Sequence, residues 1–240
     1  MRIALSFLLA CAAASAAAET VGPPRLAEGD SWTYASTVET RPAGWRQSRE
    51  EITITRTGSD SIVVRQQTLG APRPPIERLQ RPDWSLARSV NGQEVVVARP
   101  LAFPLSVGKS WTVDYTEQNP SPQQSSVRRQ MTYRVLGWEE VTVPAGTFRA
   151  LKIEGEGSWT AVLAPAQTAM VGGRSDAGGS TVVTQTRRSG ETTVTGRAYK
   201  AFWYVPEVRR WVRSVEESFG SNGLRGDSYR DELESFRLAR

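Results

Sequence analysis

The sequence predicts an all-β fold, a single antiparallel β-domain built as a curved sheet, half-barrel or sandwich behind an N-terminal leader. Three observations predict it. Apolar and polar residues alternate with a period of two along most of the chain. Gly, Pro, Asn and Asp gather between the alternating runs. No stretch carries the long apolar stripe of helical period that an amphipathic helix needs.

The chain opens with "MRIALSFLLACAAASAAA": one charge at Arg2, an apolar core from Ile3 to Ala10, then small residues ending at Ala18. This is the form of a secretory signal over residues 1–18 with an Ala-x-Ala cleavage site. A competing reading takes Leu8-Leu9-Ala10-Cys11 as a lipoprotein signal whose Cys11 is lipidated. Either way the expected location is periplasmic or secreted, with anchoring at Cys11 as the minor alternative. Residues 19–240 are expected to form one domain, and no later run reaches the roughly 18 continuous apolar residues of a membrane-spanning helix.

Composition closes off chemistry. The chain has no His, and its one Cys lies in the leader. Ser-His-Asp and Cys-His nucleophiles, thiol redox chemistry, disulfides and the usual zinc sites are therefore excluded from the exported portion. Neither a metal nor a cofactor is predicted. Carboxylates, Tyr, Ser and three lysines (Lys109, Lys152, Lys200) are what remain. With 39 % hydrophobic residues and eight Trp, the chain carries enough apolar mass for a core without covalent staples.

In "SWTYASTVE" Trp32, Tyr34, Ser36 and Val38 share one face of a strand. "EITITRTG" and "DSIVVRQQTLG" continue the pattern up to the Pro-rich "APRPP". Asn91-Gly92 between 84–90 and 93–98 predicts a tight hairpin, since both residues accept the positive φ of a type I′ turn. Further strands are expected at 109–118, 126–138, 147–161, 180–188, 192–205 and 208–219, with a proline corner at Pro206. "DSYRDELESFRL" is rich in helix formers but alternates well enough to predict a closing strand. Residues 164–180, with two Gly pairs and no periodicity, predict a long mobile loop.

The tripeptide Ser-Trp-Thr occurs at 31–33, 110–112 and 158–160. Ser and Thr suit the solvent face of a strand while Trp supplies buried area, so the repeat predicts core indoles rather than a contact platform. Pro144 and Gly146 in "VPAGTF", like Pro206, are read as turn grammar.

Three stretches, "FPLSVGKSWTVDY", "EEVTVPAGTFRALKIE" and "FWYVPEVRRWVRSVEE", resemble in that order a family of exported bacterial β-proteins known only as a domain of unknown function. The resemblance spans roughly residues 100–240, with "GDSWTY" as an N-terminal extension and the 164–180 segment as an insertion. It implies an all-β envelope protein and carries over no catalytic residue.

Candidate chemistry is thin. Ser106-x-x-Lys109 has β-lactamase-like spacing, but it precedes a strand where that chemistry needs a helix. Glu154 and Glu156 share a strand face at a separation compatible with glycoside hydrolysis, beside Trp159, while Gly155 and Gly157 suggest a bent or edge position. Arginines are dispersed in runs no longer than two, and adjacent ones point to opposite strand faces, so no nucleic-acid stripe forms. The reading that fits best is a non-enzymatic envelope protein binding a lipid or other hydrophobic molecule on a concave face lined by Trp111, Tyr133, Trp203 and Trp211. A scaffold that contacts another envelope protein through a strand edge is the alternative.

Overall fold

The computed structural model describes residues 19–40, 43–164, 167–176, 179–188 and 190–239. The leader at 1–18 and the Cys11 reading lie outside the described residues. The strands are β1 (Ser31–Thr40), β2 (Gly44–Thr57), β3 (Ile62–Thr68), β4 (Ile76–Gln80), β5 (Leu86–Val90), β6 (Gln93–Ala98), β7 (Ser110–Ser121), β8 (Gln124–Val143), β9 (Gly146–Leu163), β10 (Gln167–Asp176), β11 (Gly179–Arg188), β12 (Thr192–Val205), β13 (Arg210–Gly220) and β14 (Arg225–Arg237). A single 3-10 turn at Pro206–Val208 is the only helical element among the described residues.

Ten strands form one antiparallel sheet in the order β4-β3-β2-β1-β14-β13-β12-β9-β8-β7. The sheet is open, since β4 and β7 end it without meeting. Its centre joins the two ends of the chain, with Trp32 opposite Phe236 and Val38 opposite Tyr229. The pair β10 and β11 forms a separate two-stranded ribbon, as does β5 with β6. Residues 164–180, expected as a loop, therefore contain a strand: β10 pairs with β11 from Gln167–Arg188 to Asp176–Gly179. Its Gly172-Gly173 pair hides any alternation, so the ladder leaves no trace in the hydrophobic pattern.

The Asn91-Gly92 hairpin forms as expected, with φ values of 52° and 81°. It is held to β7 by three contacts. Asn91 Nδ2 donates to the Thr116 carbonyl at 2.9 Å, the Gln118 amide donates to Asn91 Oδ1 at 2.8 Å, and Arg88 grips Glu117 through both carboxylate oxygens.

One face of the sheet carries the core. Trp32, Tyr34, Ile54, Val135, Leu151, Ile153, Tyr204, Val212 and Leu233 are buried there. Trp84, in the turn before β5, closes this layer. It meets Trp32 edge-on at 5.3 Å and Trp211 at 6.0 Å, and its indole N–H donates to the Arg209 carbonyl at 3.0 Å. Arg210 is wedged beside it, only 7 % exposed. The indoles are not all core filler: Trp45, where β2 begins, is 69 % exposed, because the β1–β2 hairpin runs beyond the packed layer.

Candidate functional site

Strand parity separates the four aromatics that the sequence places on one face. Trp111 and Tyr133 stand directly opposite on β7 and β8 and stack at 5.4 Å with planes 12° apart. Trp111 also donates from its indole nitrogen to the Arg99 carbonyl at 2.9 Å, so it is braced under the β5–β6 ribbon. Trp211 belongs to the packed layer, 5.2 Å from Phe202 and beside Trp84. Trp203 lies on the opposite face of β12 from its buried neighbours Phe202 and Tyr204. There it sits over Lys152 and Arg213 and donates its indole N–H to Glu139. The four do not line one surface.

A different set converges. Across the core face run two registers: Met131, Gly157 and Ala198 in one row, and Arg129, Trp159 and Gly196 in the next. A third row places Tyr133, Gly155 and Lys200 together. Gly157 sits in the middle of the first row and Gly155 in the middle of the third, whereas Trp159 occupies the middle of the second, between Arg129 and Gly196. A Cβ on Gly155 would lie 2.8 Å from the Tyr133 ring, and one on Gly196 would lie 2.5 Å from the Trp159 ring. The two glycines thus let aromatic rings from the adjacent strand lie flat across them. Gly155 and Gly157, expected at a bend or an edge, are therefore central residues of β9, which has β8 on one side and β12 on the other.

The resulting cavity holds about 190 Å³ and is lined by Val97, Val113, Tyr115, Met131, Tyr133 and Trp159, with Arg129 and Lys200 at its rim. A more open depression of about 920 Å³ shares Ser158, Trp159 and Ala198 with it and reaches the β13–β14 turn at Gly220 and Gly223. Lys200 is paired with Glu216 at 2.5 Å. Arg129 forms no hydrogen bond or ion pair among the described residues, and Glu117, whose carboxylate feels its charge, is gripped by Arg88. Burial pushes the Tyr133 hydroxyl above its ordinary range, so it stays a neutral phenol.

Of these lining residues the sequence reading named Tyr133 as a contact for a hydrophobic ligand and Trp159 only as a stacking ring beside the Glu154–Glu156 candidate. The signal it lacked was lateral: that Tyr133 lies across Gly155 and Trp159 across Gly196, beside Ala198, follows only once the register of β8, β9 and β12 is known.

The carboxylate candidates are otherwise engaged. Glu154 accepts hydrogen bonds from Lys152 at 2.8 Å and from the Tyr199 hydroxyl at 2.9 Å. Burial alone would raise its carboxyl, but those two donors outweigh it and hold the group below the usual carboxylate range. A carboxyl kept ionised is unsuited to general acid work. Glu156 lies at the rim of the open depression with no second carboxylate converging on it in that lining. Lys109 donates to the carbonyls of Ala102 and Pro104, a clamp on the loop before β7 and not a partner for Ser106.

No family model matches the chain, and no curated protein matches it in sequence. The fold is similar to two solved structures. One is a predicted lipoprotein from Parabacteroides distasonis (14 % identity, TM-score 0.41), covering 91 % of this chain and 100 % of the other. The second is a predicted exported protein with a YmcC-like fold from Bacteroides fragilis (14 % identity, TM-score 0.39), covering 90 % of this chain and 99 % of the other.

Proposed function

We propose that this chain is an exported, non-enzymatic protein of the bacterial cell envelope that holds a hydrophobic molecule on the inner face of its sheet. The leader at 1–18 supports export. The observation that carries the binding reading is the groove between Tyr133 and Trp159, a concavity of about 190 Å³ walled by Val97, Val113, Tyr115 and Met131, its two bounding rings laid across Gly155 and Gly196.

The test is a titration of the full chain with the neutral fluorophore N-phenyl-1-naphthylamine. Saturable binding of one probe per chain, lost in Ala198→Phe while the circular dichroism spectrum is kept, supports the reading. Absence of saturable binding by the parent, or equal binding by the filled variant, overturns it.

A second reading rests on β4. This short strand ends the sheet without a partner on its outer side and exposes Ile76 and Leu79. A strand of another envelope protein would add to that edge. Ile76→Lys with Leu79→Lys abolishing a specific partner while leaving probe binding intact would favour it.

A further inference from the structure

The Trp159 groove also indicates which hydrophobic molecule it takes, an inference that rests on the binding reading above. Its volume of about 190 Å³ is below the roughly 300–1,000 Å³ of pockets that enclose a whole drug-sized ligand. Room exists for one chain, not for two side by side. Val113 and Met131 are directly paired in its wall, Tyr133 and Trp159 bound the two ends, and Gln130 and Ser158 add polar lining.

The rim is charged unevenly. Two cations, Arg129 and Lys200, and no carboxylate are among the residues that line the cavity, which leaves a positive excess. Lys200 is spoken for by Glu216. Arg129 is the cation left over. It is opposite both Trp159 and Tyr115 in the ladder, so its side chain leaves the sheet on the groove side at the Trp159 end. Its neighbour Arg128 takes the other face and is held by Asp114 at 2.7 Å.

We infer that the groove binds a single-chain anionic amphiphile, with its hydrocarbon chain laid over Met131 and Ala198 between Tyr133 and Trp159 and its acidic head paired with Arg129. A fatty acid and a one-chain phosphate ester share this chemistry.

The experiment displaces N-phenyl-1-naphthylamine from the full chain with decanoate, decyl phosphate, decanol and didecanoyl phosphatidylglycerol. One or both single-chain anions should compete more strongly than decanol; which one does so identifies the head group. The two-chain lipid should compete least. Arg129→Gln should weaken the competing anion by roughly three- to fivefold, the range of an exposed ion pair, and leave decanol unchanged. Arg128→Gln should change neither. The anion's advantage should shrink as salt is raised. Decanol matching both anions in the parent, no selective effect of Arg129→Gln, or strong competition by the two-chain lipid would overturn this inference while leaving the probe-binding reading in place. Failure of the parent to bind the neutral probe would instead remove the reading beneath it.

Discussion

The guanidinium carbon of Arg210 lies 4.0 Å from the ring centroid of Trp84. Trp211 stands at the same distance, with Trp32 and Tyr34 each at 5.8 Å. Stacking satisfies the faces of the cation but not its edge, and the Nε and Nη1 donors have no hydrogen-bond partner. Desolvation accordingly pulls its pKa down, against the neighbouring Tyr34 and Asp231.

The balance at this cage can be measured. Cation–π contacts are worth about 2 kcal/mol when desolvated, whereas each unsatisfied buried donor costs about 1–3 kcal/mol. Arg210→Met keeps most of the volume and removes the charge, so it is expected to be neutral or to stabilise by about 1 kcal/mol in urea unfolding. Arg210→Ala should lose about 2–4 kcal/mol through lost packing. A Met variant as damaged as the Ala variant would show that the charge itself holds the cage.

Asp30 is the opposite case, a fully buried carboxylate with every oxygen engaged. It accepts from the Ala27 amide at 3.0 Å, from the Ala239 amide at 2.8 Å and from Arg209 at 2.9 and 3.1 Å. It thus joins the start of β1, the turn before β13 and the C-terminal tail. Asp30→Asn leaves Arg209 without its counter-charge and turns one acceptor into a donor, so a loss of about 3 kcal/mol is expected in urea unfolding. A loss below about 1 kcal/mol would mean that the network is not coupled to global stability.

Asp231 predicts an unusual pH response. Burial pushes its carboxyl up, with Glu216 adding to the shift, while the Ser36 and Ser214 hydroxyls and Arg210 oppose it. A raised folded pKa means that the fold holds the proton more tightly than the unfolded chain, for which it titrates near about 3.9. The contribution is therefore full below about pH 4 and is lost as pH rises through the folded pKa. Asp231→Asn should match or exceed the parent at pH 7, with the difference closing towards about pH 4. Glu154 has the opposite sign: Glu154→Gln should cost stability at neutral pH, and the cost should fade as pH drops through its lowered folded pKa. Denaturant midpoints at the two pH values check both.

Gly196→Ala tests the groove's construction. The added methyl would sit 2.4 Å from the Phe219 carbonyl oxygen and 2.5 Å from the Trp159 ring, and the first of these is backbone that cannot turn aside. A loss of about 2–3 kcal/mol is expected from thermal unfolding. Gly223→Ala, with open space around it but φ of 75°, should cost only the backbone strain, about 1 kcal/mol.

Much of this was legible from residue order alone. Period-two alternation places β1, β7, β8, β12 and β13, and Asn91-Gly92 places the hairpin, because strands and type I′ turns are local statements. What lay beyond reach was lateral. Trp203 and Trp211 are both apolar and near one corner, yet the bulge between Trp203 and Tyr204 and the turn at Pro206 decide which face each meets. The β4 strand, "IERLQ", has too mixed a pattern to stand out. Arg209-Arg210 was expected to split across the faces of a strand; Arg209 instead caps the 3-10 turn with a left-handed φ of 64° and reaches Asp30, and Arg210 opens β13 and enters the cage. That the second would be buried depended on Trp84 arriving from more than a hundred residues away.

Because β1 lies against β14, the middle of this sheet cannot be assembled until the last strand has been made and delivered. The opening strand can zip with β2 locally, but its other edge must wait for β14, which makes final closure a slow, long-loop event. A circular permutant that tethers Ser31 to Arg237 by a short turn and opens the chain at the β7–β8 turn should therefore reach its native state sooner, though its finished architecture would be the same.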